Sequence, residues 1–321
     1  MEFIFRRGFL VYKDSNKNLA IACPHSGPAL ENATSRDDNS ETVASICWKL
    51  MGGNLIIGNM PRKRLYGVDF NRDIPSFSMA KEHFNVFKSG KDYNKIYEYR
   101  KKYAFVAMDE NDYESRLKIY QSFWGEIGGC KNILLVHRAF NRMKAYPSII
   151  DFVTFKEKGI KKKVIDKIVT KVNKKYKLFF EKIEHPYKDF ILFESQRFVA
   201  NIIENYGSFN FNKFSEEVKG SFRKDLEKIR RYTSPYLVKR LEENFTHHNY
   251  LECVKNALSN APHPIATVEN VFDGSLALGP ERKLFPVKKK TIIEAEGSYF
   301  MNFWYPQKTA EIIRDVVGKL F

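Results

Sequence analysis

Cysteine is scarce in this chain, with four among 321 residues, at Cys23, Cys47, Cys130 and Cys253. They lie far apart with no CxxC pair, which excludes a finger-type structural zinc site and a small disulfide framework and predicts reduced, buried thiols. Long apolar runs are missing too. No stretch approaches the roughly 18 apolar residues of a membrane helix, so no membrane span is expected. The start, MEFIFRRGFLVYKD, lacks the apolar h-region and cleavage site of a signal peptide, and the expected location is the cytoplasm. GxGxxG and GKS are absent, so the glycines of FDGSLALGPERK do not make a nucleotide-phosphate cradle. GxSxG is absent as well, which removes a serine-hydrolase reading of Ser26 beside His25. Acidic residues are outnumbered, 38 against 54 Lys and Arg, for a net charge of +16. That balance suits an acidic partner: nucleic acid, an anionic surface or a carboxylate substrate.

Apolar residues make up 43% of the chain and aromatics 15%, enough for a sizeable core. Period-two and continuous apolar runs predict strands at FIFRRGFLVYK, NLAIAC, NLIIGNM, YGVDF, KYAFVAM, NILLVH and TIIEAEGSYF. Helical spacing with glycine stops marks ETVASICWKLMGG and DYESRLKIYQSFWGEIGG, and QKTAEIIRDVVGKLF reads as a closing helix. The order implies an α/β fold with a mixed central sheet flanked by helices. After about residue 155 the composition shifts to lysine-rich helical patterns. The expected organisation is therefore an α/β core at 1–154, a helical insertion at 155–260, and a segment at 261–321 that completes the core.

Two histidines end strands. His25, in ACPHSGP, follows NLAIAC, and His137 closes the most apolar strand, NILLVH. Open α/β sheets bind ligands at such carboxyl ends. The two rings can share a metal if a carboxylate joins them, and SRDDNSETVA offers Asp37, Asp38 and Glu41. These acids also suit a helix cap and first turn. His247-His248, between helical segments, is read as a solvated pair without a carboxylate at metal spacing; His263 stands between prolines in a loop, and His83 and His185 are expected to have no partners. PRKRLYGVDFNR raises a different question, because it places cations on both sides of a short apolar stretch.

GVDFNR resembles the GVDxNR segment of the zinc carboxypeptidases, and PHSG with VDFNR resembles the related N-formylglutamate amidohydrolase family. Glu294, in TIIEAEGSYF, has Pro306 and a helix twelve residues on, the interval that separates the catalytic Glu of carboxypeptidases from a proline. The resemblance covers residues 20–75, about 130–142, and 288–321. It implies a zinc carboxypeptidase-like (phosphorylase/hydrolase-like) fold and a zinc-dependent hydrolase acting on the amide bond of a small N-acyl amino acid or peptide with a free carboxylate. It further implies that His25, Glu41 and His137 hold Zn, with Asp38 or Asp37 as the alternative middle ligand, because Pro28 breaks the compact HxxE of carboxypeptidases. Glu294 would be the general base, with Glu296 on the same strand face as its alternative. Asn71 and Arg72 would bind the substrate carboxylate, and Arg64, or else Arg62, the oxyanion. His137 is followed by Arg where the family has Ser.

A rival reading comes from the lysine-rich insertion. Lys161 to Lys163, with Lys174, Lys175 and Lys177 beside Tyr176 and Phe179, form a basic face suited to nucleic acid or an anionic surface. No nucleic-acid-binding signature accompanies it, so this partner is not favoured.

Overall fold

The computed structural model describes residues 2–14, 18–29, 36–139, 142–157, 160–272 and 290–321. FDGSLALGPERK, after Phe272, lies outside them. Strands β1 (Glu2–Arg6), β2 (Phe9–Lys13), β3 (Leu19–Cys23), β4 (Asn54–Gly58), β5 (Asn132–Ala139), β6 (Ser148–Val153), β7 (Ile265–Val268) and β8 (Thr291–Ser298) form one mixed sheet in the order β1-β2-β4-β3-β5-β8-β6-β7. The helices are α1 (Ser40–Met51), α2 (Phe77–Ser89), α3 (Tyr93–Lys102), α4 (Glu110–Gly128), α5 (Lys162–Lys175), α6 (Lys177–Tyr206), α7 (Glu216–Tyr232), α8 (Pro235–Glu243), α9 (His247–Asn260), α10 (Tyr299–Trp304) and α11 (Pro306–Val317). The fold is α/β.

Strands β4, β3, β5 and β8 are parallel, while β2 pairs antiparallel with β4, and β6 with β8. The runs of β3, β5 and β8 are almost wholly buried, as strands covered on both faces require. The segment FIFRRGFLVYK forms a hairpin, β1 and β2, rather than one long strand. Gly8 supplies the positive φ of 90° at its turn.

The chain divides into two compact units. One comprises Met1–Ala139, Ile150–Val172 and Val268–Phe321; the other comprises Phe140–Ile149 and Asn173–Thr267. The second unit begins earlier in the chain than the expected insertion and is itself discontinuous. Its core is aromatic: Phe222 packs against Phe198, Phe209, Phe214 and Tyr250. All four cysteines are free and buried. No described helix is long and apolar enough to cross a membrane.

Two expected strands are loops. YGVDF and KYAFVAM run beside each other, bonded through Asp69 N–H to the Ala104 carbonyl and Ala104 N–H to the Asp73 carbonyl, both at 2.8 Å. Only an isolated bridge, Asp73 to Tyr103, is strand-like. Short apolar runs fit strand spacing, but here helix α4 fixes their conformation. Phe70 stacks on Phe123 at 4.0 Å, Trp124 Nε1 donates to the Phe70 carbonyl at 3.0 Å, and the Tyr120 hydroxyl donates to that of Arg72 at 2.8 Å. The Arg116 guanidinium donates to the carbonyls of Arg64, Leu65 and Gly67, each at 3.1 Å. Gly67 is needed there, since a Cβ would meet the Pro61 carbonyl oxygen at 1.9 Å. Helices α2 and α3, beyond the expected elements, are capped by Ser76 and Asp92, whose side chains accept from Met79 N–H and Lys95 N–H.

Candidate metal centre

The carboxyl ends of β3, β4, β5 and β8 converge on one cluster of buried polar residues. His25 follows β3, His137 lies in β5, and Glu294 and Glu296 alternate with Ala295 along β8. Strand register sets Glu296 beside His137 and Glu294 beside Leu135, so both carboxylates share the sheet face of His137. Asp37 comes from the segment before α1, where its carbonyl accepts from Ser40 N–H and its own N–H donates to the His25 carbonyl at 2.9 Å.

Both imidazoles meet one carboxylate oxygen. Asp37 Oδ2 lies 3.3 Å from His25 Nδ1 and 2.8 Å from His137 Nδ1. His25, Asp37 and His137 are buried, and each offers a ligand atom within 4.8 Å of the others. This group could hold a metal ion. Beyond it, His25 Nε2 is 2.9 Å from Asp69 Oδ1, and His137 Nε2 is 3.0 Å from Asn71 Nδ2 and 3.7 Å from Glu294 Oε2. A second carboxylate behind a ligating histidine fixes its tautomer and ring orientation.

The middle position is a correction to the expectation. Glu41 is paired with Arg36, and Asp38 faces Arg36 and Arg138 at 3.5 and 3.6 Å. Asp37, which the sequence left as an alternative, stands between the histidines. The first turn of α1 points Glu41 toward a cation in its own loop, whereas the turn before the helix, with Asn39 at a left-handed φ of 62°, directs Asp37 inward.

Arg64 is also placed differently from the expected oxyanion contact. It is buried, paired with Asp69 at 2.7 Å, and donates to the carbonyls of Tyr103, Arg62 and Arg100. Arg62 instead stays partly exposed at the cluster, with Nε 2.9 Å from Asp69 and Nη1 3.8 Å from Asp37. Arg72 donates to the Asn71 and Arg100 carbonyls at 2.8 and 3.3 Å. Asp69, within GVDFNR but not singled out from sequence, joins His25 to both arginines.

Electrostatics separate these acids. Burial works against the charge of Asp37, but hydrogen bonds from His137 and His25 hold its carboxyl well below the usual range. Burial likewise opposes Asp69, and Arg64 with Arg62 holds it well below. Glu296 is pushed well above the usual range by burial and by the charges of Glu294 and Asp37. His137 is raised: burial disfavours its cation, but Glu294 and Asp37 outweigh that. Among the described residues, Oε2 of Glu294, Oε2 of Glu296 and Oδ1 of Asn71 are buried without a hydrogen-bond partner. Such acceptors are costly to bury unbonded, about 1–3 kcal/mol each. Two histidines, a carboxylate and unsatisfied acceptors beside them suit a divalent cation and a bound polar molecule. No family model, curated protein or solved structure matches the chain.

Proposed function

We propose that the β-sheet unit is a zinc-dependent amidohydrolase that cleaves the amide bond of a small N-acyl amino acid or peptide with a free carboxylate. The observation behind this reading is the buried His25, Asp37 and His137 group beside Glu294 at the carboxyl ends of parallel strands. His25, Asp37 and His137 are the zinc ligands; when bound, zinc polarises an amide carbonyl and acidifies water. Turning the Asn71 amide over would let its unbonded Oδ1 accept from His137 Nε2–H, leaving the Nδ1 lone pair for the metal.

Glu294 holds the proton taken from water and passes it to the leaving amine. Glu296, next to it and shifted upward, stays protonated to a higher pH and keeps a second negative charge off the site. Arg62 supports the developing oxyanion, and Asn71 with Arg72 orients the substrate carboxylate.

Metal analysis with an N-acyl amino acid hydrolysis screen tests the reading. Expected is about one zinc per chain, lost in His25→Ala and His137→Ala, while Glu294→Gln keeps zinc and loses turnover. A chain without metal after zinc reconstitution, or full turnover in Glu294→Gln, would sink it.

A second reading rests on α5, where Lys163, Lys167, Lys171 and Lys174 are all exposed at helical spacing. Such a stripe suits nucleic acid, and binding that weakens steeply with added salt would favour it.

A further inference from the structure

The sheet has an open edge at β1. This strand heads the strand order and pairs on one side with β2; among the described residues no strand lies beyond it. Only Arg7 and Gly8 separate the paired residues Arg6 and Phe9, so those two exchange both backbone hydrogen bonds and the pattern alternates from there. Glu2, Ile4 and Arg6 therefore bond to β2. The N–H and C=O of Phe3 and Phe5 point the other way, to the open edge.

Lysine, proline or a bulge commonly blunts such an edge, and EFIFR in its unbroken register has none of them. Phe3 and Phe5 keep 45% and 74% of their surface exposed on one face, where the Phe3 ring centre lies 4.5 Å from those of Phe5 and Tyr12. Ile4 packs against the core on the other face. Arg6 reaches Glu126 of α4 at 3.4 Å, with about half of its side chain still exposed at 49%.

The strand is complementary to itself. Turned antiparallel about Ile4, a second copy sets Phe3 opposite Phe5, Ile4 opposite Ile4, and Glu2 opposite Arg6 at both ends. Each Phe3–Phe5 pair then exchanges the hydrogen bonds that the edge leaves open, and each Glu2–Arg6 pair falls at a non-hydrogen-bonded position, where side chains approach closest. A slip of one residue sets outward backbone groups against inward ones, and a slip of two sets Ile4 against a charge. We propose that β1 is a homodimer interface, two copies joining edge to edge by antiparallel β1 pairing into one continuous sheet. A strand of 5 residues per copy is a small contact, and the charge of +16 on each chain opposes association, so the expected dissociation constant is micromolar. The inference does not depend on the hydrolase reading.

Sedimentation velocity of the full-length chain from about 1 to 200 µM tests it, with a reversible monomer–dimer equilibrium expected in the wild type. Phe5→Pro removes an outward N–H and one ring but no bond to β2, and should weaken dimerisation at least about tenfold. Glu2→Arg and Arg6→Glu each set like charges opposite one another at both ends, and each should weaken it about tenfold. An equimolar mixture of those two variants faces Arg with Glu throughout and should dimerise as the wild type does. Thermal melts of these exposed positions keep folding separate from association. A wild type that stays monomeric across the range, dimerisation unchanged in all three folded variants, or no recovery in the mixture would overturn the proposal.

Discussion

Asp37 and Glu41 are four residues apart yet serve different partners: Asp37 Oδ2 lies between Nδ1 of His25 and of His137, while Glu41 binds Arg36 at the start of α1. Asp37→Asn is therefore expected to bring bound zinc to background, and Glu41→Gln to leave it at the wild-type level. Metal content by plasma mass spectrometry reads both. Zinc lost from Glu41→Gln and kept in Asp37→Asn would reverse the ligand assignment.

Asp69 supports the centre from behind, through His25 Nε2 at 2.9 Å. Asp69→Asn should weaken zinc affinity about 10- to 100-fold, as loss of an outer carboxylate does. It should also destabilise the chain by about 3–5 kcal/mol, because buried Arg64 loses its counter-charge. Chelator competition and urea unfolding separate the two effects.

Arg62 and Arg64 are expected to divide activity and stability between them. Arg62→Met should lower kcat by about 10²- to 10³-fold, the usual cost of one oxyanion donor, with a small change in melting temperature. Arg64→Met removes contacts to Asp69 and three carbonyls, so its main effect should be a lower melting temperature. Equal kcat in the wild type and Arg62→Met would exclude that contact.

The pH dependence of stability in chelator-treated protein should show two opposite signs. Asp37 and Asp69 sit below the ordinary value of 3.8, so they stabilise above it and that contribution is lost as pH falls toward their folded values. Glu296 sits above 4.5, so its contribution is complete below 4.5 and is lost as pH rises through its folded value. Glu296→Gln should therefore be more stable than wild type at pH 7, with the gain vanishing below about pH 4.5. Melting temperatures across that range give the sign directly.

Strands β3, β5 and β8 were legible because buried parallel strands leave long apolar runs, and so were the two histidines at their ends. The shared face of Glu294 and Glu296 followed from strand alternation alone. Less legible was the loop at 64–72, whose apolar spacing resembles a strand but whose shape is set by Tyr120, Phe123, Trp124 and Arg116, some fifty residues away. No local signal records such contacts. Choosing Asp37 over Glu41 needed the turn before α1, where Asn39 adopts a left-handed φ of 62°. The different settings of Arg62, partly exposed, and Arg64, buried, are not revealed in sequence by two closely spaced arginines. Helices α2 and α3 were missed although their caps, Ser76 and Asp92, were present.

Strand β8 is the last of the described strands in chain order, yet it lies inside the sheet, between β5 and β6. During synthesis, β5 and β6 must therefore wait with unpaired facing edges until β8 emerges, the kind of open template that invites pairing with another chain. Glu294 and Glu296 arrive on that same strand, so the step that closes the sheet also completes the polar cluster. Damage to the C-terminal segment would thus expose two adhesive edges as well as remove these two carboxylates.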